Sequence, residues 1–425
     1  MLILWGLFFV LMFVGMPVAF AIGISGFSFF VLSGTIPVSI GVQQIATASQ
    51  SFPLLAVPFF VLAGHMMNKT GITHRLIACS NVLVSWMSGG LAQVCILLST
   101  LMGGVSGSAV ADAAMEARIL GPNMIRSGYA RGFTCASIAV GSLITATIPP
   151  SLGLILYGFV GNVSIGRLFL AGVIPGLLMM AALMGVVYVV ARKRDYREAR
   201  VSKPTGREIW RAVVDAKWAL LFPLALLVGI RGGIFTPSEI GAFAVVYAVV
   251  VGVFLHKELT LATALEALAE GVLDVGVIML IILMSGMVGY ALIFEQAPQV
   301  VAEWMLGLTS NPLAVVVLIL VFLLIAGCFV ESTVLVLLLT PIFVPIVTKL
   351  GVDPVHFGIL MMSIVTLGSM TPPVGVAMYT VCSILDTPIE EYTVEAVPFV
   401  AAIVAVIAFL ALFPGVVLWL PNLVM

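Results

Sequence analysis

The chain has 425 residues, of which 62% are hydrophobic and only 9% charged, with a mean hydropathy of +1.25 and a net charge of -1. A soluble domain carries roughly 25% charged residues, so 18 Lys and Arg with 19 Asp and Glu cannot cover this chain in water. The composition is that of an all-α polytopic membrane protein; it excludes a soluble enzyme and gives no reason to expect a nucleic-acid partner.

About 20 apolar residues span a bilayer as a helix. The N-terminus has no basic n-region and no evident cleavage site, so Met1 onward is expected to be retained. Residues 2–32, interrupted by Pro17, form either one long bent helix or two short pieces. Residues 38–51 are more polar and belong to an interface or a loop. The apolar pattern resumes over 54–67, and 72–88 mixes His74, Arg75 and Asn81 with apolar residues at helical spacing, as in a helix lying on the membrane surface. Residues 1–90 are therefore expected to be an N-terminal scaffold with a surface helix.

Residues 91–192 form the next unit. Its first segment, 91–120, is interrupted by the string from Gly103 to Ser108; a broken helix over 131–160 is interrupted by Pro149-Pro150; and 168–191 is an ordinary span. Nine of the 18 basic side chains then lie between Arg192 and Lys217, beside only four acidic ones. The positive-inside rule makes 193–217 a basic cytoplasmic loop. Residues 218–311 return to scaffold, with spans at 218–230, 240–255 and 272–294 and a second surface stretch at 295–311; Asp274, near the start of its segment, reads as interfacial. The final unit, 312–425, holds a segment broken near Gly327–Thr333, a second broken helix over 357–385 interrupted at Pro372-Pro373, and a C-terminal helix at 397–420. The cysteines, Cys79, Cys95, Cys135, Cys328 and Cys382, show no metal spacing and read as small packing residues.

The order of these pieces repeats. Every proline between residues 101 and 180 has a counterpart 223 positions later: Pro122 and Pro345, Pro149-Pro150 and Pro372-Pro373, Pro175 and Pro398. Gly104 and Gly128 match Gly327 and Gly351 at the same offset. If each glycine-interrupted segment is a re-entrant hairpin, five crossings separate the two hairpins. An odd number means that they enter from opposite faces, so the repeat is inverted, as in many secondary transporters. Arg118, Arg126 and Arg131 then lie inside with the basic loop, and Lys349 alone lies near the mouth of the second hairpin.

The interruptions carry the chemistry. Proline donates no N–H, so Pro149 and Pro150 are expected to release the carbonyls of Thr145 and Ala146, and Pro372 and Pro373 those of Gly368 and Ser369. The carbonyls of Ile148 and Thr371, pushed out of helical geometry by the following proline, are free to turn inward. Carbonyls with a hydroxyl or two are hard ligands for a small hard cation such as Na+. The expected sites are Gly103, Ser106, Thr145, Ile148 and Pro150 for the first, and Gly327, Ser332, Gly368, Thr371 and Pro373 for the second, with Pro149 and Pro372 structural. Asp112 and Glu331, acidic residues inside apolar runs, are expected to cap the returning half-helices or to stand on the cation side. No Lys or Arg lies deep in either repeat, so an anionic substrate is expected between the tips, on Ser106, Gly107, Ser108, Ser332 and Thr333, held by hydroxyls, half-helix N-termini and the bound cation.

The strings SGSAVADAA (106–114), IPPS (148–151), FTPSEIGA (235–242), LTPIFVPI (339–346), DPVHFGI (353–359) and TPPVG (371–375) resemble the large membrane subunit of the tripartite ATP-independent periplasmic (TRAP) transporters, of the DctM type, nearly end to end. The resemblance implies an elevator-type carrier in the bacterial inner membrane that uses Na+ to import an organic acid anion, a dicarboxylate or a sialic-acid-like sugar acid. It also implies a separate small membrane subunit of the DctQ type and a DctP-type periplasmic binding protein. No GxxxxGK(S/T) loop for ATP is present. The rival readings are an ion-coupled anion carrier without a binding protein, a channel, and an intramembrane serine protease using Gly104-Val105-Ser106-Gly107 with His356 as base.

Overall fold

Gly15 and Pro17 divide the first apolar run, because a helix running through Pro17 would lose a backbone donor. The result is two helices, α1 (Leu2–Phe13) and α2 (Val18–Ser33). The computed structural model describes residues 2–34, 36–196, 203–232, 234–309 and 311–425; residues 197–202 of the basic cluster lie outside them. The polar stretch that follows is itself helical, α3 (Val38–Ser49), and leads through a single 3-10 turn to α4 (Ala56–Lys69) and α5 (Ile72–Val84). The first hairpin is α6 (Gly90–Gly103) and α7 (Ala109–Ile119), followed by the short α8 (Gly121–Arg126). The first broken helix comprises α9 (Arg131–Gly141), α10 (Leu143–Thr147) and α11 (Leu152–Val160), and α12 (Ile165–Lys193) closes the unit.

Part of the stretch expected as a loop is helical: α13 (Gly206–Asp215), where Thr205 and Glu208 form a capping box that overrides the high charge density. None of its residues is buried. Next come α14 (Lys217–Arg231), α15 (Pro237–Val250), α16 (Leu261–Phe294) and α17 (Ala297–Leu308). The FTPSEIGA string is the start of α15, with Thr236 as cap, Pro237 in the first turn and Glu239 closing a capping box. The last unit is α18 (Pro312–Gly327), α19 (Ser332–Lys349), α20 (Pro354–Gly368), α21 (Val376–Ile384), α22 (Ile389–Leu412) and α23 (Pro414–Val424). Among the described residues, five helices are long and apolar enough to cross a membrane, and two bent pairs, α9/α10 with α11 and α13 with α14, meet the same test when joined.

The third scaffold span starts earlier than its apolar pattern suggests. Thr260 caps α16, which runs for 34 residues, about 51 Å at 1.5 Å per residue. That exceeds a hydrocarbon core of roughly 30 Å. Asp274 therefore sits well inside the helix rather than near its start. With Glu266 and Glu270 it lines a polar edge facing α4: His65 Nε2 lies 2.8 Å from Asp274, His65 Nδ1 3.5 Å from Glu270, and Lys69 Nζ 3.1 Å from Glu266.

The repeat is written into the helix boundaries. α18, α19, α20, α21 and α22 begin 222 to 224 residues after α6, α7, α9, α11 and α12. α6, 14 residues long and about 21 Å, is too short to cross the core, so the chain turns back within it. The two units exchange contacts: α11 of the first packs against α19 of the second, and α21 of the second packs against α7 of the first. In lipid, burying an apolar side chain gains little over leaving it among acyl chains, so close packing decides which surfaces meet. That gives weight to glycine contacts between backbones, which the candidate site uses.

Candidate functional site

Both hairpin tips lie against a proline break. At the first, a Cβ on Gly103 would stand 2.8 Å from Ile148 Cβ and 3.3 Å from Thr145 Cα. Gly107 has φ +66°, and a Cβ there would collide with the Pro150 carbonyl. Only glycine adopts this backbone and this approach together. Gly103, Gly107, Thr145, Ile148 and Pro150 thus share one place, with Ser106 on the same turn. At the second, a Cβ on Gly327 would stand 2.8 Å from the Val365 carbonyl oxygen, and one on Gly368 would stand 2.6 Å from Gly327 C. Beyond the break, Gly375 N donates to Cys328 O at 2.9 Å. Both Pro-Pro bonds, Pro149-Pro150 and Pro372-Pro373, are cis.

The carboxylates act differently at the two tips. Ser108, not Asp112, caps α7, its hydroxyl accepting from Ala111 N at 3.4 Å. Asp112 is instead a buried first-turn residue that accepts a hydrogen bond from the Ser106 hydroxyl at 2.6 Å, because its position one turn inside the helix points it back at the tip. Glu331 does cap α19. Its Oε2 accepts from Thr333 N at 2.8 Å and Val334 N at 3.3 Å, and its Oε1 accepts from the hydroxyls of Ser332 at 3.0 Å and Thr333 at 2.9 Å.

Three of the four carbonyls expected to be released find new donors. Ala146 O accepts from Ser151 Oγ at 2.5 Å, Gly368 O from Thr371 N at 2.9 Å and Ser369 O from Ala377 N at 2.9 Å. The chain doubles back after each break and returns donors to it, which a count of missing helix bonds does not anticipate. The Thr145 carbonyl takes no hydrogen bond among the described residues. Ile148 is extended, with φ -78° and ψ 135°, as the following proline requires. The hydroxyl of Thr371 donates to Leu367 O at 2.8 Å.

The sense of these bonds matters. Ser106, Ser332, Thr333 and Thr371 all spend their protons on oxygen within the protein, so their hydroxyls present lone pairs, which suit a cation rather than an anion. Ser108 accepts a backbone N–H and keeps its own proton to donate. No Lys or Arg is buried among the described residues. Arg131 is held at a helix end, donating to the Asp386 carbonyl at 2.9 Å. His356 is engaged with Leu410 O at 2.9 Å and does not serve Ser106, whose hydroxyl belongs to Asp112. Two residues that the sequence reading passed over join the site. Ser99 donates to Glu116 Oε1 at 2.9 Å, and its carbonyl accepts from Thr145 Oγ1 at 2.9 Å. Glu116, one turn after Asp112 on the same helix face, was legible from that spacing.

A helical membrane protein with two interlocked repeats, each laying a hairpin tip on a proline-broken helix, is built as a secondary transporter. Its fold is shared with the Alcanivorax borkumensis YdaH transporter, at a TM-score of 0.64 over 88% of this chain and 87% of that one, with 14% identity. Residues 5–416 match the family described as "Tripartite ATP-independent periplasmic transporter, DctM component", and the chain belongs to that family. It is 39% identical to the sialic acid TRAP transporter large permease protein SiaM of Vibrio cholerae, over 97% of this chain and 96% of that protein. It is 34% identical to the isethionate TRAP transporter permease protein DctMQ of Oleidesulfovibrio alaskensis, over 97% of this chain but 65% of that longer protein. The relatives are permeases and the protease reading falls with that: this is a TRAP transporter large permease subunit, not an enzyme.

Proposed function

We propose that this subunit imports an organic acid anion across the bacterial inner membrane, driven by Na+, with a small membrane subunit and a periplasmic binding protein that delivers the substrate. The observation that supports the reading is the pair of hairpin tips packed against a proline break, one in each repeat, whose hydroxyls donate within the protein and so keep oxygen lone pairs. One Na+ is held by the oxygens of the first set, Gly103, Ser106, Thr145, Ile148 and Pro150, and another by those of the second, Gly327, Ser332, Gly368, Thr371 and Pro373. The two hairpins and two broken helices move as one elevator against the scaffold of α1–α4 and α14–α16, because their mutual contacts tie them to each other.

The anion sits between the tips but closer to the first. At the second tip Glu331 already occupies the N-terminus of α19 and the hydroxyls of Ser332 and Thr333. At the first, the Ser108 hydroxyl and the N–H groups of Gly107, Ala109 and Val110 remain available as donors among the described residues. The bound cations supply the countercharge that no buried Lys or Arg among the described residues provides. The relatives named for sialic acid and isethionate support an acid anion as the class of cargo. Uptake of radiolabelled acids into proteoliposomes holding the complete complex and its binding protein tests this reading. It requires inward Na+ and no ATP; equal uptake when K+ replaces Na+, with no other ion gradient, refutes it.

A further inference from the structure

Asp112 and Glu116 are the only buried carboxyls among the described residues, at 2% and 0% exposure. No ion pair reaches either of them there. Glu116 Oε1 accepts the Ser99 hydroxyl, while Oε2 is buried with no hydrogen-bond partner. A charged carboxylate so placed lacks both a countercharge and half its hydrogen bonds, and another carboxyl stands one turn away. Nothing in the described surroundings compensates a charge there.

We infer that Glu116 is an uncharged positioning residue that sets the first cation site through Ser99. Glu116 fastens α7 to α6 by way of the Ser99 hydroxyl, and the Ser99 carbonyl in turn fastens the Thr145 hydroxyl of α10. Thr145 is also the residue whose carbonyl has lost its helical donor to Pro149. Glu116 thus controls where that oxygen stands without touching the ion. The second repeat does the same job by other means. Its equivalent positions are Phe322, Leu339 and Gly368, and there the backbones of Gly327 and Gly368 meet directly. A polar relay in one half replaces a glycine contact in the other.

The inference rests on the Na+ reading above, and its test separates the two. In proteoliposomes containing the complete complex, the Na+ concentration for half-maximal uptake is measured for wild type, Glu116→Gln, Glu116→Leu and Ser99→Ala, beside the melting temperature in detergent. Gln, which is neutral and keeps the acceptor, should hold the wild-type Na+ requirement within about twofold. Leu and Ser99→Ala should each raise it about tenfold, the scale at which groups behind a ligand act on metal affinity. The Leu/Ala double variant should add nothing further, since both break one relay. Ser99→Ala removes a single oxygen and keeps the test open if Leu does not fold. A shift with Gln as large as with Leu would mean that an ionised Glu116 is needed and would overturn the inference, as would unchanged Na+ dependence in both Leu and Ser99→Ala. A wild type indifferent to Na+ would instead remove the Na+ reading itself and this inference with it.

Discussion

Gly368→Ala isolates the contribution of backbone contact at the second site. An added Cβ would stand 2.6 Å from Gly327 C and Cα and 2.8 Å from the Leu324 carbonyl oxygen, all of them main-chain atoms that no rotamer change can move. Reaching an ordinary contact of about 3.4 Å requires α18 and α20 to part by roughly 0.8 Å. Overpacking of this kind costs about 1–3 kcal/mol, or at least the upper end here because both neighbours are rigid. The same displacement carries Gly327 off the break. The variant should therefore lower the melting temperature of the purified complex and raise the Na+ concentration for half-maximal uptake together. Gly276→Ala in α16 is the control: a Cβ there meets nothing within 4 Å, and replacing a helical glycine gains about 0.5–1 kcal/mol. A Gly368→Ala protein with wild-type melting temperature and Na+ dependence would refute the close-contact account.

Ser108→Ala removes a helix cap, a loss of about 1 kcal/mol, together with the tip hydroxyl that keeps its proton. Substrate KM should rise while the Na+ requirement stays put, and the opposite split would move the anion elsewhere. Glu331→Gln keeps an acceptor for the α19 N–H groups but cannot take both the Ser332 and Thr333 hydroxyls. Weaker Na+ activation at near-normal stability is expected, and an unchanged Na+ titration would detach Glu331 from the second site. His65→Ala breaks a partly exposed contact with Asp274, so the change in unfolding free energy should be under about 1 kcal/mol and uptake should be unaffected. A collapse of transport would show that the α4–α16 edge moves during the cycle.

Much of this architecture was legible because proline and glycine act through the backbone, and the backbone leaves its mark at fixed spacing. The 223-residue offset of the prolines foretold helix starts that agree to within a residue. Three things were harder. The capping box of α13 was present as Thr205 and Glu208 but hidden by a charge run that looked like a loop. The start of α16 at Leu261 was missed because its first turns carry Glu266, Glu270 and Asp274, whose partners lie about 200 residues away on α4. The fate of the released carbonyls depended on Ser151 and Ala377 swinging back across each break, and no local rule gives the direction of a chain after two prolines.

The exchange of α11 and α21 between the two units also bears on whether either half could stand alone. Each half rests the far end of its broken helix on the returning hairpin helix of the other half as well as on its own elements. Cut into halves, the chain would therefore expose on each piece the hairpin surface that the other half now covers, α7 on one and α19 on the other. Shared packing does not demand shared side chains: Glu116 stands in one half where Leu339 holds the same place in the other.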